Sequence, residues 1–282
     1  METNSIKANL SKEDTIADIR MTLGADFEHK KCIVLVEGED DIVFFNGKLH
    51  RDIEIKESFS GKRGVKEIVE EFSDNRVIGI CDADYDATDC PRLLYYDNSC
   101  LEMMLVSNDN AFGSLFCIYY QGKMQAGIIR LQIFSNLKWL SLYRKLSSEN
   151  NWGVNFKGVS INNAFNNDTY NIEIPKLLKQ ISEQNPHLSE SIRSHVDSVV
   201  EAANVELDLN QYLRITQGHD FIFCFRCYCE AVHVTKGKTP SAAEILHVLI
   251  GSFPRDAWKN TTLYRELNQY ETSHSLKLLS SI

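Results

Sequence analysis

The sequence predicts an α/β fold in which a parallel β-sheet flanked by helices is followed by a mainly helical domain. Apolar runs at 32–36 and 76–81 are typical of buried strands, and each ends in a cluster of acidic residues. Between them a half-exposed strand alternates with helical patterns, and this β-α-β-α-β order favours parallel strands with right-handed connections. Beyond about Phe112 the strand pattern fades and helical patterns dominate.

The first third of the chain can be predicted element by element. Ser11 is a good N-cap for a leading helix, and residues 52–58 alternate apolar with charged side chains as a half-exposed strand does. The segment Ser60-Gly-Lys-Arg-Gly64 is typical of a small basic loop that opens a helix. In chain order the predicted elements are a helix at 11–23, a strand at 32–36, a helix at 40–49, a strand at 52–58, a helix ending near Phe72, a strand at 76–81 and a fourth strand at 93–96.

The remaining chain is predicted to be mainly helical. Residues 137–147 form a helical pattern with basic side chains on one side and apolar ones mostly on the other. Residues 150–171 are rich in asparagine and interrupted by glycine, so we expect them to be the most loop-like part. Further helices are predicted at 173–183, 188–203, about 210–234, 241–251 and 255–269. We therefore expect a leading helical segment at 1–30, a sheet domain at 31–115 and a mainly helical domain at 116–282.

Length and composition are those of an ordinary globular protein. The chain has 282 residues, of which 43% are apolar and 24% charged, and this length suits one large domain or two ordinary ones. No apolar run approaches the roughly 18 residues of a membrane-spanning helix. The N-terminus lacks the basic-then-apolar pattern of a signal peptide. We therefore expect no membrane association and a cytoplasmic location.

Eight cysteines are spread along the chain, and for a cytoplasmic protein we expect free thiols rather than disulfides. Cys32 and Cys81 lie within the predicted buried strands, where cysteine behaves as a small apolar residue. The spacing Cys224-x-x-Cys227-x-Cys229 hints at zinc, with His219 or His233 as a conceivable fourth ligand. Because these cysteines lie in an apolar run and no second C-x-x-C exists, core packing is favoured over a metal site.

Basic residues are segregated in a protein of net charge −9. Between residues 110 and 167 six basic side chains accompany a single acid, Glu149, which leaves a local charge of +5. Such segregation is typical of phosphate-binding surfaces, although a solvated face that merely lacks acids has the same composition. The candidate substrate-binding residues on this face are Lys138, Arg144 and Lys145, and the basic loop adds Lys62 and Arg63.

Acidic side chains end both predicted buried strands. Glu37 follows the first, and Asp82 and Asp84 follow the third, two residues apart so that an extended backbone points both carboxylates to one side. Open α/β sheets bind their ligands at the carboxyl ends of the strands. Carboxylate oxygens suit Mg²⁺, and without a cation the clustered charges would repel one another. The alternative is that the acids only solvate loop ends, which the burial of both strands disfavours.

The segment Val36-Glu37-Gly38-x-x-Asp41 and the pair Asp82-x-Asp84, separated by one strand and one helix, resemble the TOPRIM domain of topoisomerases, primases and OLD-type nucleases. This match covers about residues 31–115. With Asn-Ser-Cys-Leu-Glu at 98–102 and Gly-His-Asp at 218–220, the whole chain resembles stand-alone TOPRIM nucleases encoded beside an ABC-type ATPase in anti-phage systems.

The resemblance implies an endonuclease that depends on Mg²⁺ or Mn²⁺. We expect Asp82 and Asp84 to be the principal metal ligands, Glu37 to be a ligand or the general base, and Asp86 and Glu102 to serve a second ion. Glu102 matches an acid that follows the aspartate strand in these nucleases. Its position near a predicted helix start has an alternative explanation, stabilisation by the helix dipole alone. The predicted catalytic residues are thus Glu37, Asp82, Asp84 and Glu102.

The resemblance also implies a toxic effector that an ATPase partner holds silent and that cuts host transfer RNA on release, acting as a homodimer. The chain contains no Walker A sequence, so any ATP hydrolysis belongs to a partner. The alternatives are a non-catalytic TOPRIM subunit that docks an ATPase, and an OLD-like nuclease that cleaves DNA. A primase-like polymerase is a third, without an accompanying zinc ribbon. For Gly218-His219-Asp220 we favour a helix-capping Asp and a satisfied His.

Overall fold

A computed structural model of the chain describes residues 11–85, 90–232 and 239–280. These residues divide into two compact units. The first, here called the sheet unit, contains residues 11–83, 90–97 and 255–280, and the second, the helical unit, contains 84–85, 98–232 and 239–254. The domain boundaries at 30/31 and 115/116 that the sequence suggests stay predictions.

Strands and helices alternate in the first third of the chain, and helices follow. The first elements are α1 (Lys12–Gly24), β1 (Cys32–Val36), α2 (Glu39–Phe45), β2 (Ile53–Glu57), α3 (Gly61–Glu71), β3 (Val77–Cys81) and β4 (Leu93–Tyr95). The later ones are α4 (Leu101–Ser107), α5 (Asp109–Tyr119), α6 (Ala126–Glu149), α7 (Ile161–Ala164), β5 (Phe165–Asn166), β6 (Asn171–Ile172), α8 (Ile174–Gln184), a 3₁₀ turn (Pro186–Leu188), α9 (Ile192–Ala203), α10 (Leu209–Ile215), α11 (Gly218–Ala231), α12 (Ala242–Ser252), α13 (Arg255–Lys259) and α14 (Thr262–His274). The predicted α/β class, a helix-flanked parallel sheet followed by a helical part, is confirmed.

The sheet unit is organised by four parallel strands in the order β2-β1-β3-β4. Leu35 of β1 lies opposite Gly79 of β3, so the carboxyl ends of these two strands meet at one edge of the sheet. The chain leaves β1 toward β2 and leaves β3 toward β4, on opposite sides. The edge between β1 and β3 is therefore a topological switch point, the place where open α/β sheets bind ligands.

Both central strands are buried along their whole length, which requires cover on both faces of the sheet. On one face Ile33 and Leu35 pack with Ile68 and neighbouring apolar side chains of α3 and α1. Aromatic rings form a further group in this unit, comprising Phe44, Phe45, Tyr96 and Trp258. The C-terminal helices α13 and α14 thus contribute to the sheet unit although they come last in the sequence.

Glycine is required at position 79, where helix α3 lies closest to β3. A Cβ at Gly79 would lie 2.5 Å from Val65 Cγ1 and 2.8 Å from Leu93 Cδ1. Any side chain here would push α3 away from the sheet or force its apolar side chains out of their rotamers. No local sequence pattern singles out this residue, because the close approach is made by side chains from other elements.

The helical unit packs around α11, whose Phe221 and Phe225 contact the ring of Phe112. All eight cysteines are free thiols, as the sequence predicts. The three on α11 are buried, and burial raises the pKa of Cys227 and of Cys229 to about 12. A neutral buried thiol fits the packing interpretation, while His233 lies outside the described residues. Within the described part of the chain, no helix is both long and apolar enough to cross a membrane.

Several predicted boundaries were wrong for identifiable reasons. The basic loop at 60–64 is the first turn of α3, which begins at Gly61 with a left-handed φ of 52° that favours glycine. The helix predicted at about 210–234 is two helices, because the backbone at Thr216 is extended and its carbonyl accepts the Ser99 hydroxyl. The segment predicted at 255–269 is also two helices, since Thr261 caps a new one.

The other departures concern the length or the presence of an element. The helix predicted at 137–147 lies in the C-terminal half of α6, which has 24 residues and begins at Ala126. The segment predicted as most loop-like, 150–171, contains the short helix α7 and the antiparallel pair β5–β6. The helix predicted at 40–49 ends at Phe45.

Candidate acidic site at the sheet edge

Glu37 joins the ends of the two central strands. It directly follows β1, and its Oε1 accepts the backbone N–H of Asp82, the first residue after β3, at 2.8 Å. Its Oε2 accepts the backbone N–H of Lys62, in the first turn of α3, at 3.0 Å. One carboxylate therefore ties β1, β3 and α3 together at the switch point.

Glu37 also acts as the cap of helix α3. The N-cap residue Ser60 makes no side-chain capping bond, and the Glu37 carboxylate takes that place from another strand. A carboxylate at a helix N-terminus is stabilised by the helix dipole. Ser58 supports the turn by donating its hydroxyl to the Gly61 carbonyl at 2.6 Å. The orientation of Glu37 is thus set by the backbone around it.

The two basic residues of α3 differ in placement. Lys62 turns its ammonium toward the segment that carries the aspartates, and its Nζ donates to the Ala83 carbonyl at 3.2 Å. The Arg63 side chain is 75% exposed and lies near Glu67 on its own helix. Of the pair predicted to contact substrate, Lys62 therefore lies beside the acidic edge, and Arg63 lies on the surface.

Asp41 and Tyr96 hold the turn that follows Glu37. Asp41 accepts the N–H of Gly38 at 2.8 Å and the Tyr96 hydroxyl at 2.6 Å. Burial, and then the charge of Asp41, raise the pKa of Tyr96 far above its usual value, so the phenol stays a donor. Burial and the charge of Glu37 likewise raise the pKa of Cys81. The supporting role of Tyr96 was missed, since a tyrosine near a strand end carries no distinctive sequence signal.

The extended geometry expected for Asp82 and Asp84 is not present. Strand β3 ends at Cys81, and Asp84 has a left-handed φ of 45° in a turn. Its N–H donates to the Ser99 carbonyl at 2.8 Å, which anchors that turn in the helical unit. Aspartate tolerates left-handed backbone better than most residues. The ligand role of Asp84 stays a prediction, and Asp86 lies outside the described residues.

Glu102 lies in the first turn of α4 and is 7% exposed. His219, at the start of α11, places Nδ1 3.3 Å from Glu102 Oε1, while most of its side chain is exposed. Burial alone would raise the pKa of Glu102, but hydrogen bonds from His219 and from the backbone lower it overall. Gly218 is required here, because a Cβ would overlap the Glu102 carboxylate. The metal role of Glu102 stays a prediction.

Asp220 does not serve as a helix cap, contrary to the sequence prediction. Its carboxylate accepts both Nε and Nη2 of Arg144, at 2.9 and 3.2 Å. Both side chains are largely buried, at 14% exposure for Arg144 and 8% for Asp220. His219 is satisfied as expected, but by Glu102, which lies 117 residues away in sequence.

The predicted basic face therefore contains two kinds of residue. Arg144 forms the buried pair, while Lys138 donates to the Val205 carbonyl at 2.6 Å and Lys145 pairs with Glu149 at 2.6 Å near the surface. Phosphate contacts by these residues stay predictions.

Comparison with known protein families finds no family model that matches this chain, and comparison with curated proteins finds no similar sequence.

Proposed function

We propose that this chain is a metal-dependent endonuclease with a TOPRIM-type catalytic domain. One observation carries the proposal. Glu37 and Asp82 follow adjacent parallel strands at a topological switch point, and the Glu37 carboxylate is bonded to the Asp82 backbone. Acids at this place in an open α/β sheet are positioned to bind a ligand rather than to solvate a loop.

The donor chemistry at this edge fits a hard divalent cation. Glu37 and Asp82 offer carboxylate oxygens, which Mg²⁺ and Mn²⁺ prefer. We assign Glu37 and Asp82 as ligands on this ground, and Asp84, Asp86 and Glu102 on the sequence pattern alone. A bound cation would supply charge neutralisation at the phosphate and a more acidic water.

The protein's own residues prepare the edge for phosphodiester cleavage. Two backbone N–H groups fix the Glu37 carboxylate before substrate arrives, so little reorganisation is needed to engage a cation or accept a proton. The Lys62 ammonium, held by the Ala83 carbonyl, offers positive charge to a phosphate oxygen. Glu37 serves as a ligand or as the general base.

The biological setting is proposed from resemblance alone. The chain resembles AriB, the effector of the PARIS anti-phage system, and by analogy we propose a toxic nuclease in the cytoplasm that an ABC-type ATPase holds inactive. On release it would act as a homodimer on host transfer RNA. Expression of the chain alone should then be toxic, and co-expression of the ATPase should suppress the toxicity.

A non-catalytic binding subunit is the second candidate. It is favoured by the fact that Glu37 has a structural task, since its two N–H bonds would be useful in a protein without chemistry. For the same reason Glu37→Ala is a poor test, because removal of these bonds costs stability as well as any activity.

The test is cleavage of transfer RNA and of DNA by the purified chain, with EDTA and after readdition of Mg²⁺ or Mn²⁺. We expect cleavage only with the cation, and preference for RNA would separate the proposal from a DNA-cleaving nuclease. Full cleavage in EDTA would exclude the metal mechanism. No cleavage under any condition, with toxicity absent in cells, would favour the binding subunit.

A further inference from the structure

A cleft of about 400 Å³ lies in the helical unit, where the end of α6 meets the loop that follows it. The loop turns back through left-handed residues, Asn151 at a φ of 51° and Gly153 at 68°. Across from it lie Tyr85, whose hydroxyl donates to the Ile215 carbonyl at 2.7 Å, and Gln217, which precedes α11. The volume lies within the range of about 300–1,000 Å³ that is usual for small-molecule sites.

The charge inside this cleft is balanced. Arg144 lines it, but the carboxylate of Asp220 neutralises the guanidinium. The pair uses two of the five N–H donors of arginine, so three remain for a ligand. The guanidinium also lies 4.8 Å from the centre of the Phe156 ring. The cleft therefore presents donors and π surfaces without net charge, which disfavours a phosphate and suits a neutral, polar, flat ligand.

Polar groups reach the same space. Ser147 is 6% exposed and lines the cleft. Gln217 makes no side-chain capping bond to α11. Ser147, the Gln217 amide and the remaining Arg144 donors together offer both donors and an acceptor.

We propose that this cleft binds a single nucleobase. A base is flat and neutral, has a π face for Tyr85, Phe156 or the Arg144 guanidinium, and carries donors and acceptors on its edge. Amide and guanidinium side chains are the groups that commonly read such edges. The inference deepens the proposed function, on which its role as a substrate-reading site rests. Its ligand is either a base unstacked from a single strand or a free nucleoside.

The test compares two oligonucleotides in EDTA by fluorescence anisotropy: a short single-stranded RNA, and an all-abasic strand with the same number of phosphates. Wild-type protein should bind the intact strand about five- to a hundredfold more tightly, the usual worth of one stacked base. Competition by free nucleosides as strong as by the oligonucleotide would identify a free nucleoside as the ligand. Weak competition would identify a base held in a strand.

Substitutions in the cleft test whether the preference for the intact strand arises there. Ser148→Trp fills the cleft from an exposed position at the end of α6 and should remove the preference for bases, whereas Ser198→Trp, on an exposed position of α9, should keep it. Gln217→Ala removes only one side chain from the lining and should weaken the preference for bases. It therefore tests the cleft even if Ser148→Trp misfolds. Equal binding of both strands by wild type, or an unchanged preference in Ser148→Trp and Gln217→Ala, would overturn the inference.

This experiment can reject base binding in the cleft and metal-dependent cleavage independently of each other. EDTA prevents the proposed cleavage, so a base preference without any nuclease activity in Mg²⁺ would retain the cleft and reject the nuclease. Cleavage in Mg²⁺ without a base preference would do the reverse.

Discussion

The two units of this protein hold charged side chains by different kinds of partner. At the edge of the sheet, Glu37 is held by two backbone N–H groups, which fix the position of its carboxylate. In the helical unit, Arg144 is matched by Asp220, so the pair as a whole is neutral. The first arrangement suits a cation and the second suits a neutral ligand. This difference is why we propose a metal at one place and a nucleobase at the other.

Breaking the neutral pair should have the largest effect on stability. Arg144→Ala leaves the Asp220 carboxylate, only 8% exposed, without its counter-charge. This should lower the free energy of unfolding by about 3–5 kcal/mol. Arg144→Met combined with Asp220→Leu should restore most of it, because neither charge remains buried. Urea unfolding of the variants measures the difference, and a double variant as unstable as the single one would contradict charge balance as the cause.

Neutralising the charged edge should instead affect activity. Asp82→Asn keeps the shape of the side chain and removes the proposed anionic ligand, so metal-dependent cleavage should fall more than about a hundredfold. Asp197→Asn, on an exposed position of α9, is the matched control and should retain wild-type rates. Rates are measured at saturating Mg²⁺ with the melting temperature checked in parallel. An active Asp82→Asn would move the catalytic centre elsewhere.

The sheet edge also depends on how closely α3 approaches β3. Gly79→Ala should cost about 1–3 kcal/mol, because the added methyl meets Val65 and Leu93. Gly113→Ala is a suitable control, since its Cβ would meet nothing within 4 Å in the interior of α5. That change should stabilise the protein by roughly 0.5–1 kcal/mol. The denaturant midpoints of the two variants measure these changes in stability. Equal changes at both positions would argue against the close packing of α3.

Protonation of Glu102 should lower the stability of the helical unit at acidic pH. Its folded pKa lies below the ordinary 4.5, so its stabilising contribution is complete above pH 4.5 and is lost as pH falls through the lowered value. Glu102→Gln should therefore flatten the decline of the urea midpoint between about pH 5 and pH 3. If the urea midpoint of Glu102→Gln declines as steeply as that of wild type, other carboxylates cause the loss of stability at acidic pH.

The smallest expected effect concerns the exposed basic residues. Lys138→Glu with Lys145→Glu should reduce the log–log salt slope of oligonucleotide binding by roughly 0.7 for each phosphate that these lysines neutralise in the wild-type complex. Arg144 is left intact because of its buried pair. Lys176→Glu with Lys179→Glu on α8 makes the same charge change elsewhere in the unit. If both pairs shift the slope equally, the effect is general charge and not a specific phosphate-binding face.

Much of the sheet can be predicted from the sequence by local patterns. The apolar runs predict β1 with its observed bounds, and β3 to within one residue, because continuous apolar runs that end in acids are distinctive at short range. Ser11 caps α1 as its residue type suggests. Glu37 and Asp82 are identifiable for the same reason, since each follows one of these runs directly.

The contact partners of the charged side chains are determined by the tertiary structure alone. The pairs Glu102–His219 and Arg144–Asp220 join positions 117 and 76 residues apart, and periodicity within a segment carries no information about such partners. Lys62 and Arg63 share a turn, yet only Lys62 lies beside the aspartate segment, because α3 is anchored there by Glu37. Sequence determined which side chains end the strands, since burial of apolar runs is a local property. Long-range packing determined which partner each charged side chain has, because that depends on the groups that folding brings within hydrogen-bond distance.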